Sequence, residues 1–264
     1  MEALAGKKLF LFDLDGTICM GDQLYPFSRD LLRTIRSTGR DYLFMTNNSS
    51  RSARDYGEKL TGLGIPSEER EFITSGQAAV HYLKEKFGNR RIYVCGTGSL
   101  LTYLRREGLS LTEDPGLAQC VLIGLDTELT FEKLRNVCRI LWENPGIPYF
   151  ATHPDLICPT EFGFMPDCGS ICQMISHACG REPEYLGKPS PLMVRLAMAQ
   201  AGCSPEETVV VGDRLSTDIE AGASAGVDTV LVMTGEAGAA GSQCSQVRPT
   251  WVLPDAGEIL RYIL

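Results

Sequence analysis

Almost from end to end, short apolar runs alternate with longer stretches in which apolar positions recur every three or four residues. The short runs, rich in β-branched and aromatic residues, predict strands at Lys8–Phe12, Tyr42–Met45, Arg91–Cys95, Cys120–Leu125, Tyr149–Ala151, Thr208–Val211, Thr229–Met233 and Trp251–Leu253. The longer stretches predict helices at Ser28–Ser37, Ser52–Thr61, Gln77–Phe87, Phe131–Trp142, Pro191–Ala201 and Thr217–Ala225. Gly39, Gly62, Gly88 and Gly202 follow such helices where a left-handed cap falls. Strand, helix and strand joined by short turns mean parallel sheet, so the fold class is α/β. No fixed-period repeat interrupts the pattern.

Several of these strands run into a polar turn that opens a helix: "DLDGT", "MTNNSS", "CGTGS", "GLDTELT" and "VGDRLST". Ligands of open parallel sheets bind at the carboxyl ends of strands, so these turns are where chemistry is expected. In "LFLFDLDGT", Asp13 and Asp15 stand one residue apart, and the pleat of a strand would point both the same way. Like charges side by side raise the free energy unless a cation lies between them. Gly16 leaves its backbone bare for close approach to an anion. "GDRLSTD" adds Asp213 and Asp218, the second also suited to a helix dipole. Thr46, Asn47 and Asn48 offer a hydroxyl and amides to phosphate oxygens, or form a turn that caps the helix beyond Ser49. Lys188 in "LGKPSP" is a single aimed ammonium or a plain surface charge.

Composition narrows the choice. In 264 residues, 44% apolar and 22% charged, there is enough apolar material for a sizeable core and no mark of disorder. A net charge of −8 without a basic stripe excludes a nucleic-acid or anionic-membrane surface; the arginines between Arg33 and Arg40 read as a solvated helix face. No stretch approaches the roughly 20 apolar residues that cross a bilayer. The start "MEALAGKK" carries no apolar leader, so the ten cysteines read as reduced thiols of a cytoplasmic protein. Cys168, Cys172 and Cys179 have the spacing of one buried helix face and not of a zinc site. Asp126 in "VLIGLDTELT" mimics a catalytic strand end, but Thr130 and Glu132 after it read as a helix start. Lys133 falls on the outward pattern of "FEKLRNVCRIL", Trp142 and Trp251 read as core, and Gly235–Ser245 reads as a mobile loop.

Taken in order, Asp-x-Asp-Gly-Thr, a strand-terminal Thr, a Lys and Gly-Asp-x-x-x-x-Asp resemble the motifs of the haloacid dehalogenase superfamily, over the whole chain. "FDLDGTI", "FMTNNSSRS", "GKPSP" and "VGDRLSTDIEAGASAGVDTVLVMTG" are similar to its NagD-like phosphatase branch. The resemblance implies a Rossmann-like three-layer core, residues 1–75 and 185–264, interrupted by a large α/β cap, residues 76–184. It implies a phosphomonoester hydrolase for small phosphorylated metabolites such as sugar phosphates, nucleotides or aryl phosphates. By carry-over, Asp13 is the nucleophile and Asp15 the acid and base. Mg²⁺ is then held by Asp13, the Asp15 carbonyl and Asp213, with Asp218 acting behind them or through water. Gly16, Thr46, Asn47, Asn48 and Lys188 hold the phosphoryl group. An acid at Asp15 separates the chain from dehalogenases, whose halide needs no proton; Lys133 is discounted as a Schiff-base lysine of the phosphonatase type.

Within the cap, "ATHPDLICPTEFGFMPDCGS" is the expected place of leaving-group contact, with His153, Asp167 and Cys168 departing from the family's usual "TNPD" and small-residue turn. His153 is either a pH-sensitive substrate contact or a hydrogen-bonded loop histidine. Cys19 and Met20 line the pocket wall or simply pack. A phosphotransferase or mutase of the same superfamily, and a catalytically silent ligand-binding regulator, are the competing readings. The resemblance leaves open a homodimer formed through the cap.

Overall fold

The protein is described by a computed structural model covering residues 2–160, 162–235 and 247–264. Its contacts divide it into two compact units, one of Met1–Thr46, Ala53–Ile73 and Lys188–Leu264, the other of Asn47–Ser52 and Thr74–Gly187. The chain therefore leaves the first unit at Thr46 for six residues, and again at Thr74 for the long insertion.

A six-stranded sheet organises the first unit, in the order Trp251–Leu253, Asp228–Val232, Thr208–Gly212, Leu9–Phe12, Asp41–Thr46 and Phe72–Thr74. The pairings from Trp251–Leu253 through Asp41–Thr46 are all parallel. The central strands Leu9–Phe12 and Thr208–Gly212 are buried throughout and mostly apolar, because both faces are covered. Phe10, Phe12, Phe44, Phe72, Val209 and Val211 belong to one continuous core. The chain starts mid-sheet at Leu9–Phe12, builds outward through Asp41–Thr46, and returns to the other side of the first strand with Thr208–Gly212. The strand order reverses between these two neighbours, so the residues that follow Phe12 and Gly212 emerge side by side.

In the second unit five parallel strands run in the order Glu184–Tyr185, Tyr149–Ala151, Cys120–Ile123, Ile92–Cys95 and Leu111–Thr112. Alternate residues feed two cores. Tyr93, Cys95, Val121, Ile123 and Tyr149 enter one. Ile92, Val94, Cys120, Leu122 and Phe150 enter the other. An antiparallel hairpin, Ile157–Thr160 with Gly163–Pro166, precedes the helix Cys168–Cys179.

Several expectations are corrected. The first strand stops at Phe12, so Asp13–Gly16 form a turn and the pleat does not set the direction of the two acids. Gly62 ends its helix without a left-handed conformation; Gly64 takes it, at φ 88°. Trp142 is 73% exposed and is not a core residue, whereas Trp251 is partly buried and packs against the core of the first unit. Arg36 stacks 4.5 Å from the Tyr42 ring centroid and pairs with Glu71, and Arg40 donates to the Ala5 and Lys7 carbonyls, so these arginines tie elements together. Lys133 turns inward, donating to Asp126 Oδ2 at 2.7 Å and to the Gly96 and Glu128 carbonyls. The loop read at Gly235–Ser245 lies, beyond Gly235, outside the described residues. Among the described residues nine cysteines are all free, and no helix is long and apolar enough to cross a membrane.

Candidate active site

The turn after Phe12 is held by backbone bonds: Asp13 N–H donates to the Val211 carbonyl, and Gly16 N–H to the Cys19 carbonyl. Asp13 thus leaves the sheet beside the end of the neighbouring strand, where Asp213 follows Gly212. A π-helical turn, Leu215–Ile219, then carries Asp218 back, and Asp218 Oδ2 accepts from Arg214 N–H at 3.2 Å. Gly212 permits that return, since a Cβ there would collide with the Asp218 side chain. Asp13, Asp213 and Asp218 each place a carboxylate oxygen within 4.8 Å of the others.

Lys188 joins this group. Its ammonium donates to Asp13 Oδ1 at 2.5 Å, to Asp218 Oδ1 at 2.6 Å and to the Met45 carbonyl at 3.2 Å. Its side chain is 3% exposed, so it is no surface charge. Burial favours the neutral amine, but the Asp13 and Asp218 carboxylates prevail and hold its pKa above the ordinary value. Burial raises the Asp13 pKa; Lys188 opposes the rise, and Asp218 and Asp213 add to it. Burial is the main cause, and the two neighbouring acids add to it.

Asp15 is half-buried, its carboxylate outside the three-acid set. Burial raises its pKa, against the pull of Lys59, a Gly21 backbone hydrogen bond, Arg214 and Lys188. Gly16, at φ 93°, has room only for hydrogen: a Cβ would lie 2.5 Å from Asp213 Oδ2. Thr46 ends its strand, buried. Cys19 is buried, its thiol pushed up to about 12 by burial, whereas Met20 is exposed.

The second unit takes the remaining predicted residues. Asn47 donates from Nδ2 to Asp155 Oδ2 at 3.1 Å, and its carbonyl accepts from Ser75 Oγ. Asn48 Oδ1 accepts from Ser50 N–H and Ser50 Oγ, closing a local turn. His153 and Asp167 are buried against each other at 2.7 Å, and Cys168 is fully buried behind them. His153 is therefore the hydrogen-bonded loop histidine of the two readings. Not anticipated were the Met45 carbonyl on Lys188, and Thr234 Oγ1, which donates to the Gly16 carbonyl at 2.5 Å. Gly235 packs against Asp213 where a Cβ would collide. The "MTG" after the last valine run was the one available signal for Thr234 and Gly235.

A family model described as haloacid dehalogenase-like hydrolase matches residues 10–110, and one described as HAD-hydrolase-like matches residues 185–259. The 5'-nucleotidase YutF of Bacillus subtilis is 32% identical over 256 residues, 97% of this chain and 98% of that protein. The crystal structure of a 4-nitrophenylphosphatase from Thermotoga maritima is 34% identical, covers 99% of both chains and superposes with a TM-score of 0.91. A glycerol phosphate phosphatase from Mycobacterium tuberculosis, solved in complex with magnesium, is 31% identical, with a TM-score of 0.88 over 100% of this chain and 79% of that one.

Fold, acid cluster and matches together define a phosphatase with an α/β core and an inserted α/β cap. The chain belongs to the haloacid dehalogenase-like hydrolases, in their NagD-like branch.

Proposed function

We propose that the protein is a Mg²⁺-dependent phosphomonoesterase that works through an aspartyl-phosphate on Asp13. The observation that carries the reading is Lys188 buried between Asp13 and Asp218, with Asp213 in the same cluster. An all-oxygen donor set of few carboxylates suits magnesium, and Gly16 and Gly235 lack the Cβ atoms that would collide with the Asp213 carboxylate. Asp13, the Asp15 carbonyl and Asp213 would hold the ion, with Asp218, which is bonded to Lys188, acting behind them or through water. When bound, the ion supplies positive charge to the phosphoryl oxygens and to the attacking carboxylate.

An Asp13 oxygen attacks phosphorus, forming the Asp13 O–P bond as the bond to the ester oxygen breaks. Asp15, whose pKa burial raises, delivers its proton to that departing oxygen. A water then attacks the aspartyl-phosphate, giving its proton to Asp15 and releasing phosphate with Asp13 regenerated. Lys188 holds Asp13 in place and neutralises charge that gathers there. Gly16, Thr46 and the Asn47–Asn48 turn are assigned to the phosphoryl oxygens. Phosphoryl transfer demands mainly positioning and charge neutralisation, against an uncatalysed rate up to ~10²¹-fold slower.

The relatives' substrates, a nucleotide, an aryl phosphate and glycerol phosphate, point to small phosphate monoesters as the class. Hydrolysis of p-nitrophenyl phosphate with Mg²⁺, and release of phosphate without an acceptor sugar, are expected. Asp13→Asn should reduce that activity by roughly 10³-fold or more while the protein stays folded. A wild-type protein inert towards p-nitrophenyl phosphate, sugar phosphates, nucleoside monophosphates and glycerol phosphate would overturn the reading.

A further inference from the structure

One buried charge pair lies outside the acid cluster and is not used by the chemistry above. His153 has no exposed surface, and each ring nitrogen has a partner. Nε2 meets Asp167 Oδ1 at 2.7 Å, and Nδ1 meets Thr152 Oγ1 at 2.9 Å. With Asp155 these residues resemble a cation site, their ligand atoms lying within 4.8 Å of one another. Both imidazole nitrogens are already engaged in hydrogen bonds.

The chain of contacts continues on both sides. Asp167 caps the helix Cys168–Cys179, accepting from Cys168 N–H at 2.6 Å, and its own N–H donates to the Leu156 carbonyl. Gly169 N–H donates to the Asp155 carbonyl, and Ser170 Oγ to the Leu156 carbonyl at 2.5 Å. The base of the Ile157–Pro166 hairpin is thereby stitched across both its ends. In the other direction, Thr152 Oγ1 lies 3.0 Å from Ser49 Oγ, which accepts from Leu125 N–H at 3.0 Å. Asp155 accepts from Asn47 Nδ2. Two routes therefore lead from the hairpin base to the Asn47–Ser49 turn, and both start within three residues of His153.

We propose that the His153–Asp167 pair is a positioning device for the Asn47–Ser49 turn, fixing through Thr152 and Ser49 the segment assigned to phosphate binding. The proposal rests on that assignment. A charged strut differs from a neutral one in hydrogen-bond direction. An imidazolium donates from Nδ1 to Thr152 Oγ1 and turns the threonine proton away, towards Ser49 Oγ or the Cys168 sulfur 3.6 Å off. A neutral ring protonated on Nε2 takes the threonine proton instead, and Thr152 must then accept from Ser49. Burial disfavours the charged ring, yet Cys168, Asp167 and Asp155, the ionisable groups facing it, raise its pKa to about 9. That shift favours the charged arrangement.

Asp167→Asn removes the charge and keeps a good helix cap. In that variant KM for p-nitrophenyl phosphate and the inhibition constant of inorganic phosphate should both rise about tenfold, with kcat within about twofold of wild type. Unchanged constants, or a lower kcat at unchanged KM, overturn the proposal, as does a loss confined to thermal stability. A second measurement needs neither variant nor activity. In wild-type protein labelled with ¹⁵N, the His153 ring should titrate above pH 8, and the amides of Ser49 and Leu125 should shift with the same midpoint. Amides that ignore the His153 titration, or a ring titrating in the ordinary histidine range, overturn it equally. Should wild-type protein hydrolyse no phosphate ester, the functional reading falls while the spectra still decide the strut.

Discussion

At Gly16 the backbone takes φ 93°, and the position of a Cβ lies 2.5 Å from Asp213 Oδ2. Two independent penalties therefore meet in Gly16→Ala. The left-handed conformation strains any residue with a Cβ, by about 1–3 kcal/mol. The methyl also drives the Asp213 carboxylate out of the cluster that Asp13 and Asp218 complete. Stability to denaturant should fall by that amount, and activity on p-nitrophenyl phosphate by roughly 10²-fold, as a small misplacement of a catalytic group can do. A Mg²⁺ titration should show a higher requirement for the ion. Retained activity at an unchanged Mg²⁺ requirement would show that Asp213 takes no part in holding it. The glycine in "DLDGT" was legible as a close-approach residue; that it makes room for an acid some two hundred residues away was not. Convergence of Asp13, Lys188 and Asp213 came from the resemblance alone, because nothing local in a sequence says which turns share a pocket.

Among the elements, those buried on both sides were the most readable. Cys120–Ile123 and Thr208–Gly212 are β-branched or apolar runs because each face packs on a core. The hairpin Ile157–Thr160 with Gly163–Pro166 was missed, since it carries two prolines and has no buried position, so no alternation marks it. The pair His153–Asp167 was equally hidden, as only that hairpin brings the two residues together. The helix Phe131–Glu143 shows both outcomes. Its cap, Thr130 accepting from Lys133 N–H, was readable, while the inward fold of the Lys133 side chain was not, because a long stem can carry its charge back over its own helix start. Lys133 is 27% exposed and faces an Asp126 side chain with no exposure, so Lys133→Met strands a buried carboxylate. Stability should drop by about 3–5 kcal/mol, and Lys133→Met with Asp126→Leu should restore most of it. Activity per folded molecule should not change in either. An enzyme that folds normally but loses turnover in Lys133→Met would instead place this lysine in the chemistry.

For the molecule as a whole, each unit owns a sheet, with one apolar core in the first and two in the second, and the chain crosses between them only at the ends of Asn47–Ser52 and of Thr74–Gly187. Every side chain in the three-acid cluster, and Lys188, belongs to the first unit. A ligand stabilises only what it binds in the folded state, by about 2.7 kcal/mol at a concentration one hundredfold above its dissociation constant. Burial, with Asp218 and Asp213 adding to it, raises the Asp13 pKa; Mg²⁺ bound there would relieve the repulsion between the acids, so its effect should centre on the strands that end in them. Amide hydrogen exchange with and without Mg²⁺ should accordingly show slower exchange in Leu9–Phe12 and Thr208–Gly212. Cys120–Ile123 and Tyr149–Ala151 should exchange at unchanged rates, and Asp213→Asn should erase the difference. Equal slowing in both sheets would mean that the two cores unfold as one cooperative body. No slowing in either would remove the ion from the acid cluster, and with it the charge that the proposed attack by Asp13 requires.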